Sequence, residues 1–158
     1  MALCMPLNDI LSYRKVARSY FGLLDVLAHN HTSVLAQTDI HTFSSILISL
    51  DSGLRNLEPS ISSQCATAVE NLAASYLKNS QAFGAEVTSP AAQAIGQHLQ
   101  QRPELLPQLM TTLFEIVLFD DCSNQWSLSR PMLALILINE PIFNNLKRQL
   151  ISTQPKDR

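Results

Sequence analysis

The sequence is poor in charged residues and in glycine. Only 15% of its 158 residues are Asp, Glu, Lys or Arg, and the net charge is -2. A chain that holds nucleic-acid phosphates needs a large excess of Lys and Arg, so nucleic acid is not a predicted partner. The hydrophobic content of 46% excludes a disordered chain. With four glycines, the sequence also lacks the turn residues that a set of β-hairpins requires.

Long apolar runs and paired cysteines are lacking too. No stretch reaches the roughly 18 consecutive apolar residues of a membrane span, and the N-terminus has no cationic start followed by the apolar core of a secretory signal. The cysteines are odd in number and far apart: Cys4, Cys65 and Cys122. These features predict a soluble, non-secreted protein with reduced thiols and no membrane partner, in the cytosol or nucleus.

Catalytic and cofactor-binding motifs are absent from the sequence. It contains no Gly-rich phosphate loop, no Cys-x-x-Cys pair and no His-Glu-x-x-His helix. His29 and His31 lie two residues apart, a spacing that places them on different sides of a helix. Cys122 follows Asp120 and Asp121, whose carboxylates oppose thiolate formation. We therefore predict no catalytic, cofactor-binding or metal-binding residue, and a protein that is not an enzyme.

Apolar residues recur at steps of three and four, the period of an α-helix. The spacing predicts helices over about residues 8–28, 40–57, 59–78, 90–100, 129–139 and 140–151. A further helix is predicted to begin between Pro103 and Pro107 and to reach Leu118. The clearest stripe follows the N-cap residue Asp39 and consists of Ile40, Phe43, Leu47, Leu50, Leu54 and Leu57. Residues 79–88 lack this period and contain Gly84, so they are predicted to form a surface loop.

The last third of the chain contains the single tryptophan, Trp126, in a predicted turn. A tryptophan between two helices is expected to pack against the core. Arg130 is expected to pair with Asp120 or Asp121 and so fix this corner. Residues 132–138 are apolar on nearly every side, which is typical of a helix buried between layers.

These patterns predict an all-α fold of antiparallel helix pairs. Pairs of about 40 to 47 residues are the unit of HEAT and armadillo arrays, and three to four of them would fit in this length. Because no self-similarity between the pairs is visible, the residues alone leave a HEAT-like α-solenoid and a compact helical bundle both open.

One basic patch is the candidate partner surface. Arg14, Lys15 and Arg18 lie on the side of the first predicted helix opposite its apolar stripe. That stripe consists of Tyr13, Ala17, Tyr20, Leu24 and Leu27. A cluster of cations on a helix is either a solvated face or a contact surface for an acidic partner.

Two segments resemble the C-terminal part of the exportin-7 family. They are Leu-Ser-Tyr-Arg-Lys-Val-Ala-Arg-Ser-Tyr at residues 11–20 and Asp-Asp-Cys-Ser-Asn-Gln-Trp-Ser-Leu-Ser-Arg-Pro at residues 120–131. They stand about 100 residues apart, in the same order as in that family. The resemblance extends over about residues 7–155 and is weakest over about residues 78–101.

The resemblance implies a piece of a HEAT-repeat superhelix of the importin-β type. All 158 residues would form a single helical domain, with a disordered tail from about residue 153. The family's N-terminal arch, which makes the principal Ran contact, has no counterpart here, and the family's chain continues beyond the point matched by Gln154 and Pro155. The first and last helices are thus expected to expose apolar faces that a neighbouring repeat would cover.

The resemblance also implies a function. The parent receptors bind cargo proteins together with Ran-GTP, interact with nucleoporins in the nuclear pore complex, and shuttle between nucleus and cytoplasm without a cofactor. The residues leave one alternative open, a free-standing helical adaptor or scaffold for a single protein partner.

Overall fold

The computed structural model describes residues 6–56, 58–78, 89–119, 125–138 and 140–153. In these ranges the chain forms nine α-helices and no β-strand. The helices are α1 (Leu7–Ser12), α2 (Arg14–Asn30), α3 (Thr32–Ala36), α4 (Ile40–Leu54), α5 (Pro59–Lys78), α6 (Pro90–Gln101), α7 (Leu105–Phe119), α8 (Gln125–Ile138) and α9 (Glu140–Thr153). None of the described helices is long and apolar enough to cross a lipid bilayer.

The longer helices lie in two layers. One layer contains α2, α5 and α8 side by side, and the other contains α4 and α7. Each of α4 and α7 packs against the next helix of the first layer, so α4–α5 and α7–α8 form the helix pairs. Helices that are neighbours in a layer are therefore not neighbours in the sequence.

The helices α2 and α5 are neighbours in one layer and run parallel. Arg14 at the start of α2 contacts Glu58 just before α5, and Gly22 in the middle of α2 lies near Gln64 in α5. In the other layer, α4 and α7 also run parallel. Asp51 contacts Thr112, and further along both helices Arg55 contacts Glu115. Parallel stacking of successive pairs is the arrangement of an α-solenoid, so the HEAT-like prediction is confirmed over the alternative of a compact bundle.

Polar side chains cap the first turns of α4 and α6, and the cap at Asp39 is the one that the sequence predicts. The Asp39 side chain accepts a hydrogen bond from the backbone N–H of Thr42 at 3.2 Å, at the start of α4. The Ser89 hydroxyl accepts one from the backbone N–H of Ala92 at 3.2 Å, before Pro90 in the first position of α6. Each cap satisfies a backbone donor that has no partner within its own helix.

The predicted apolar face of α4 is confirmed as part of the core. Phe43, Leu47, Leu50 and Leu54 are all buried and Ile40 is half-buried, whereas Leu57 lies outside the described residues. The side chains of this face meet α5 and α7, which explains why the 3.6-residue period is so regular here.

Near the N-terminus, the prediction of one continuous helix over residues 8–28 is wrong. The backbone of Tyr13 is extended (φ -121°, ψ 110°), so α1 ends at Ser12 and α2 begins at Arg14. Tyr13 belongs to the predicted apolar stripe but is 68% exposed, because the break turns its side chain away from the core. The short helix α3 also went unpredicted.

Two predictions for α8 are wrong. The helix begins at Gln125 and contains Pro131, whereas the sequence favoured a start at residues 129–131. Burial on nearly every side is also wrong, since Leu133 is 60% and Leu137 57% exposed. The physical reason is that α8 is the last described helix of its layer, so α5 and α7 cover it on only part of its surface. The predicted loop at 79–88, the turn at 120–124 and the tail after residue 153 lie outside the described residues.

Candidate partner-binding surface

The predicted basic patch is held in place by a single carboxylate. Arg14 Nε donates a hydrogen bond to Glu58 Oε2 at 2.8 Å, and Arg18 binds the other carboxylate oxygen. Glu58 lies directly before α5, so these contacts join α2 to the start of α5. Hydrogen bonds from Arg14 and then from Ser60, with that from Arg18, lower the pKa of Glu58 to about 2. Its carboxylate is therefore ionised throughout the physiological range.

The patch keeps a positive surface despite these contacts. Arg14 and Arg18 remain largely exposed, and the two of them share one carboxylate. Lys15 is exposed and takes part in none of the ion pairs among the described residues. The exposed ring of Tyr13 lies two residues before Lys15 in the chain. The structure thus brings all three predicted residues to one surface, two as a structural clamp and one as a free cation.

Trp126 is exposed rather than packed against the core. Its side chain is 87% exposed, which makes the prediction of a buried tryptophan wrong. It lies on the same side of α8 as Leu133 and Leu137, opposite the buried residues Leu128 and Leu135. We call Trp126, Leu133 and Leu137 the α8 face. Their spacing of seven and four residues is visible in the sequence, but the spacing does not reveal which side of the helix is covered.

Arg130, beside the α8 face, has a partner that the sequence did not indicate. Its Nη2 lies 3.1 Å from Glu70 Oε1 in α5. The expected pairing with Asp120 or Asp121 falls on residues outside the described ranges. The observed ion pair joins two neighbouring helices of one layer, so Arg130 has a structural role.

A polar cluster joins α4 to α7. The buried Asp51 accepts hydrogen bonds from the Thr112 hydroxyl and, at 3.4 Å, from Gln108 Nε2. Arg55 Nη2 donates to Thr112 Oγ1 at 3.1 Å and to Glu115 Oε2 at 2.8 Å. The carboxylates of Asp51 and Glu115 therefore accept hydrogen bonds from neighbouring side chains. No group of three or more potential metal ligands occurs among the described residues.

His98 and Cys65 also have structural surroundings. His98 Nε2 lies within hydrogen-bonding distance, 2.9 Å, of the Ala36 carbonyl, and its ring stacks on Phe43 at 4.5 Å, so it connects α6 to α3 and α4. Burial raises the pKa of the Cys65 thiol, and the nearby Asp25 raises it further. A buried neutral thiol is chemically inert. The sequence indicated no partner for His98, since both of its contacts come from distant segments.

A small apolar cavity lies between the layers. Its volume is about 40 Å³, and its walls come from α4, α5, α6, α7 and α8. Apart from Tyr76, the lining residues are aliphatic or phenylalanine side chains. The convergent titratable groups that catalysis requires are not part of this lining.

The fold and surfaces define a class of protein, the α-solenoid of stacked helix pairs, which typically presents its surfaces to other proteins. No family model matches the chain, and no solved structure matches it. The chain is 35% identical to exportin-7-B of Xenopus laevis over 161 residues, which cover all of this chain and 15% of that protein. It is 38% identical to Ran-binding protein 17 of Mus musculus over 160 residues, covering 98% of this chain.

A similar match, 31% identity over 165 residues, links the chain to Ran-binding protein 16 of Drosophila melanogaster. By these similarities the chain belongs to the exportin-7 family, as the resemblance in the sequence predicts. It spans about 15% of the length of these relatives. Their names refer to nuclear export and to Ran binding and do not name an enzymatic reaction.

Proposed function

We propose that this chain is a C-terminal segment of a nuclear export receptor that binds cargo proteins in a Ran-GTP-dependent manner. The observation that carries the proposal is an identity of 35% to 38% along essentially the whole chain with proteins named for export and for Ran binding. In this role the segment performs no catalysis and needs no cofactor, nucleic acid or membrane. Its residues act as one helical unit.

The mechanism that suits this architecture is linkage between two ligands. A solenoid that binds cargo and Ran-GTP in the same curved form makes each ligand favour the other, and loss of Ran-GTP releases the cargo. The relative rotation of neighbouring helix pairs sets the curvature. In this segment the Asp51–Thr112 contact and the Arg14–Glu58 clamp resist such rotation, one in each layer.

The basic patch is the surface that we assign to a partner. Lys15 and the outward parts of Arg14 and Arg18 present positive charge that suits an acidic protein surface. In the whole receptor the main Ran contact lies elsewhere, so this patch would serve cargo or closure of the superhelix. Passage through the nuclear pore past nucleoporins, and shuttling between nucleus and cytoplasm, belong to the whole receptor.

A chimeric receptor tests the proposal. The matching segment of exportin-7-B would be replaced by this chain, and binding to Ran loaded with a GTP analogue would be compared with binding to Ran-GDP. We expect the chimera to bind Ran loaded with the GTP analogue more tightly than Ran-GDP. We also expect it to bind cargo only when the GTP form of Ran is present. Equal binding of both nucleotide forms, in a chimera that melts like the parent receptor, would refute the proposal and favour a nucleotide-independent adaptor.

The same chimera tests the basic patch. Lys15→Glu reverses an exposed charge that has no partner among the described residues, so folding should be unaffected. Cargo affinity should fall several-fold, and the loss should shrink at high ionic strength because screening weakens the contact. An unchanged cargo affinity would show that the patch is only a solvated face.

A further inference from the structure

Ser60 lies beside the contacts that join α2 to the start of α5. It is the exposed second residue of α5, and its Oγ donates a hydrogen bond to Glu58 Oε1 at 2.8 Å. Arg18 binds the same carboxylate oxygen, and Arg14 Nε binds the other one at 2.8 Å. The Ser60 oxygen and the Arg18 guanidinium group therefore lie within two hydrogen-bond lengths, about 6 Å, of each other.

The surroundings of Ser60 differ from those of other exposed serines. The hydroxyl groups of Ser12, Ser45 and Ser152 each donate a hydrogen bond to a backbone carbonyl of their own helix. Ser60 instead contacts a carboxylate that two arginines of another helix hold in place. A group added to the Ser60 oxygen would therefore lie beside guanidinium groups of the neighbouring helix.

The two arginines can bind a second anion. A guanidinium group carries five N–H donors, and the contacts with Glu58 engage one nitrogen of Arg14 and two of Arg18. The side chains are 72% and 52% exposed, so further donors are accessible from solvent. With Lys15, one turn before Arg18, these cations carry three positive charges against the single negative charge of Glu58. The surplus of two positive charges matches a phosphate dianion.

We propose that Ser60 is a phosphorylation site and that Arg14 and Arg18 bind its phosphate across the junction between α2 and α5. The phosphoryl group comes from a nucleoside triphosphate through a protein serine kinase. The Ser60 oxygen forms a bond to the γ-phosphorus, the bond to the leaving nucleoside diphosphate breaks, and the hydroxyl proton passes to a base of the kinase. A phosphoserine opposite an arginine pair gains charge-assisted hydrogen bonds.

The modification would neutralise the basic patch. A phosphate brings about two negative charges to the surplus of positive charge at Arg14, Lys15 and Arg18. This consequence rests on the proposed function, in which the patch binds an acidic partner surface. Phosphorylation should then release that partner while the helices stay folded, because the new contacts strengthen the junction between α2 and α5.

Mass spectrometry tests whether the site is used. The chain would be produced in cultured animal cells, purified with phosphatase inhibitors and digested. We expect a phosphopeptide whose fragments locate the phosphate on Ser60, since the neighbouring Ser62 is buried and Ser63 is half-buried. Detection of this peptide without phosphate, or with phosphate on Ser63 alone, would overturn the proposal.

Phosphorus NMR tests whether the arginines bind the phosphate. Phosphoserine is installed at position 60 during translation, and its signal is titrated from acid to neutral pH. The guanidinium groups should hold the second pKa of the phosphate below its ordinary value of about 6, which the same chain should show when unfolded in urea. Arg14→Gln with Arg18→Gln should abolish this difference. Arg102→Gln with Arg130→Gln is the matched control, since it removes two arginines that pair with other carboxylates.

The outcomes of the titration are clear-cut. An equal pKa of the phosphate in the folded and the unfolded chain, or a pKa that the control pair changes as much as the Arg14 and Arg18 pair, would overturn the proposal. If circular dichroism shows that the double variant is unfolded, Arg18→Gln alone replaces it, and the difference should then shrink.

The receptor chimera tests the consequence for binding. Phosphoserine at position 60 should weaken cargo binding several-fold, to about the level of Lys15→Glu. If Lys15→Glu leaves cargo affinity unchanged while the phosphate pKa is lowered, the function assigned to the patch fails and the phosphate site stands. If Lys15→Glu weakens cargo binding and the phosphate does not, the proposed neutralisation is refuted.

Discussion

The hydroxyl group of Thr112 in α7 donates a hydrogen bond to the carboxylate of Asp51 in α4, and both side chains are buried. The contact joins two parallel helices that are far apart in the sequence. Thr112→Val keeps the shape of the side chain but leaves a buried carboxylate oxygen without this donor. A buried acceptor without a partner costs about 1 to 3 kcal/mol, and we expect the free energy of unfolding in urea to fall by that amount.

The neighbouring threonine is the control for this change. Thr111 is half-buried, and its hydroxyl donates a hydrogen bond to the Pro107 carbonyl of its own helix, so Thr111→Val should cost less than about 0.5 kcal/mol. Equal losses for the two variants would mean that the contact between α4 and α7 contributes nothing specific to stability.

The pH dependence of stability should report the Arg14–Glu58–Arg18 clamp. Folding lowers the pKa of Glu58 from 4.5 to about 2, so the carboxylate stabilises the fold above about pH 4.5 and loses this effect as the pH falls towards 2. The melting temperature of Glu58→Gln should therefore lie below that of the unmodified chain at pH 7, and the difference should close between those two pH values. Arg14→Gln with Arg18→Gln should reproduce the same pH profile; a difference that is constant with pH would contradict the assignment.

Gly53 lies where α4 passes α5 and α2. A Cβ atom at this position would collide with Cys65 Sγ and would come within 2.9 Å of Phe21 Cε1. Gly53→Ala should therefore destabilise the fold by about 1 to 3 kcal/mol in spite of alanine's better helix propensity.

Two further variants make this prediction specific. Cys65→Ala in the same chain removes the colliding sulfur and should restore part of the loss. Gly96→Ala places its Cβ 3.6 Å from the Tyr76 ring, an ordinary contact, so stability should stay the same or rise by about 0.5 to 1 kcal/mol. Denaturant titration measures all three, and a neutral Gly53→Ala would show that the helices separate there at little cost.

Leu47 provides a test of the core. It is buried on α4, so Leu47→Asp forces a carboxylate into the seam between the layers and should unfold the chain, at a cost on the order of 4 kcal/mol or more. The adjacent Ile48 is 39% exposed, and Ile48→Asp should leave the helical circular dichroism signal and melting curve nearly unchanged. Similar behaviour of the two variants would mean that the buried side of α4 has been misassigned.

Local patterns in the sequence predict the helices well because their causes are local. The caps at Asp39 and Ser89 act within one turn, and the buried face of α4 follows from a 3.6-residue period alone. The choice between solenoid and bundle could not be made from the residues, since it depends on α2 packing beside α5. No spacing rule relates Arg14 to Glu58.

The errors have the same origin. Trp126 is chemically suited to a core, but its exposure is decided by whether another helix covers that side of α8. At Tyr13 the apolar spacing continues through a residue whose backbone is extended, so the spacing does not reveal that the helix breaks there. For the basic patch, the sequence identified the three cations but gave no indication that Glu58 restrains two of them.

The central position of α5 has a mechanical consequence. Because α2 and α8 both pack on this one helix, a bend applied at either end of the layer reaches the other end through it. The segment should then bend as one elastic unit. Its stiffness should be set by two interfaces, the one between α2 and α5 and the one between α5 and α8. Stiffening either seam would raise the force needed to wind or unwind the whole segment.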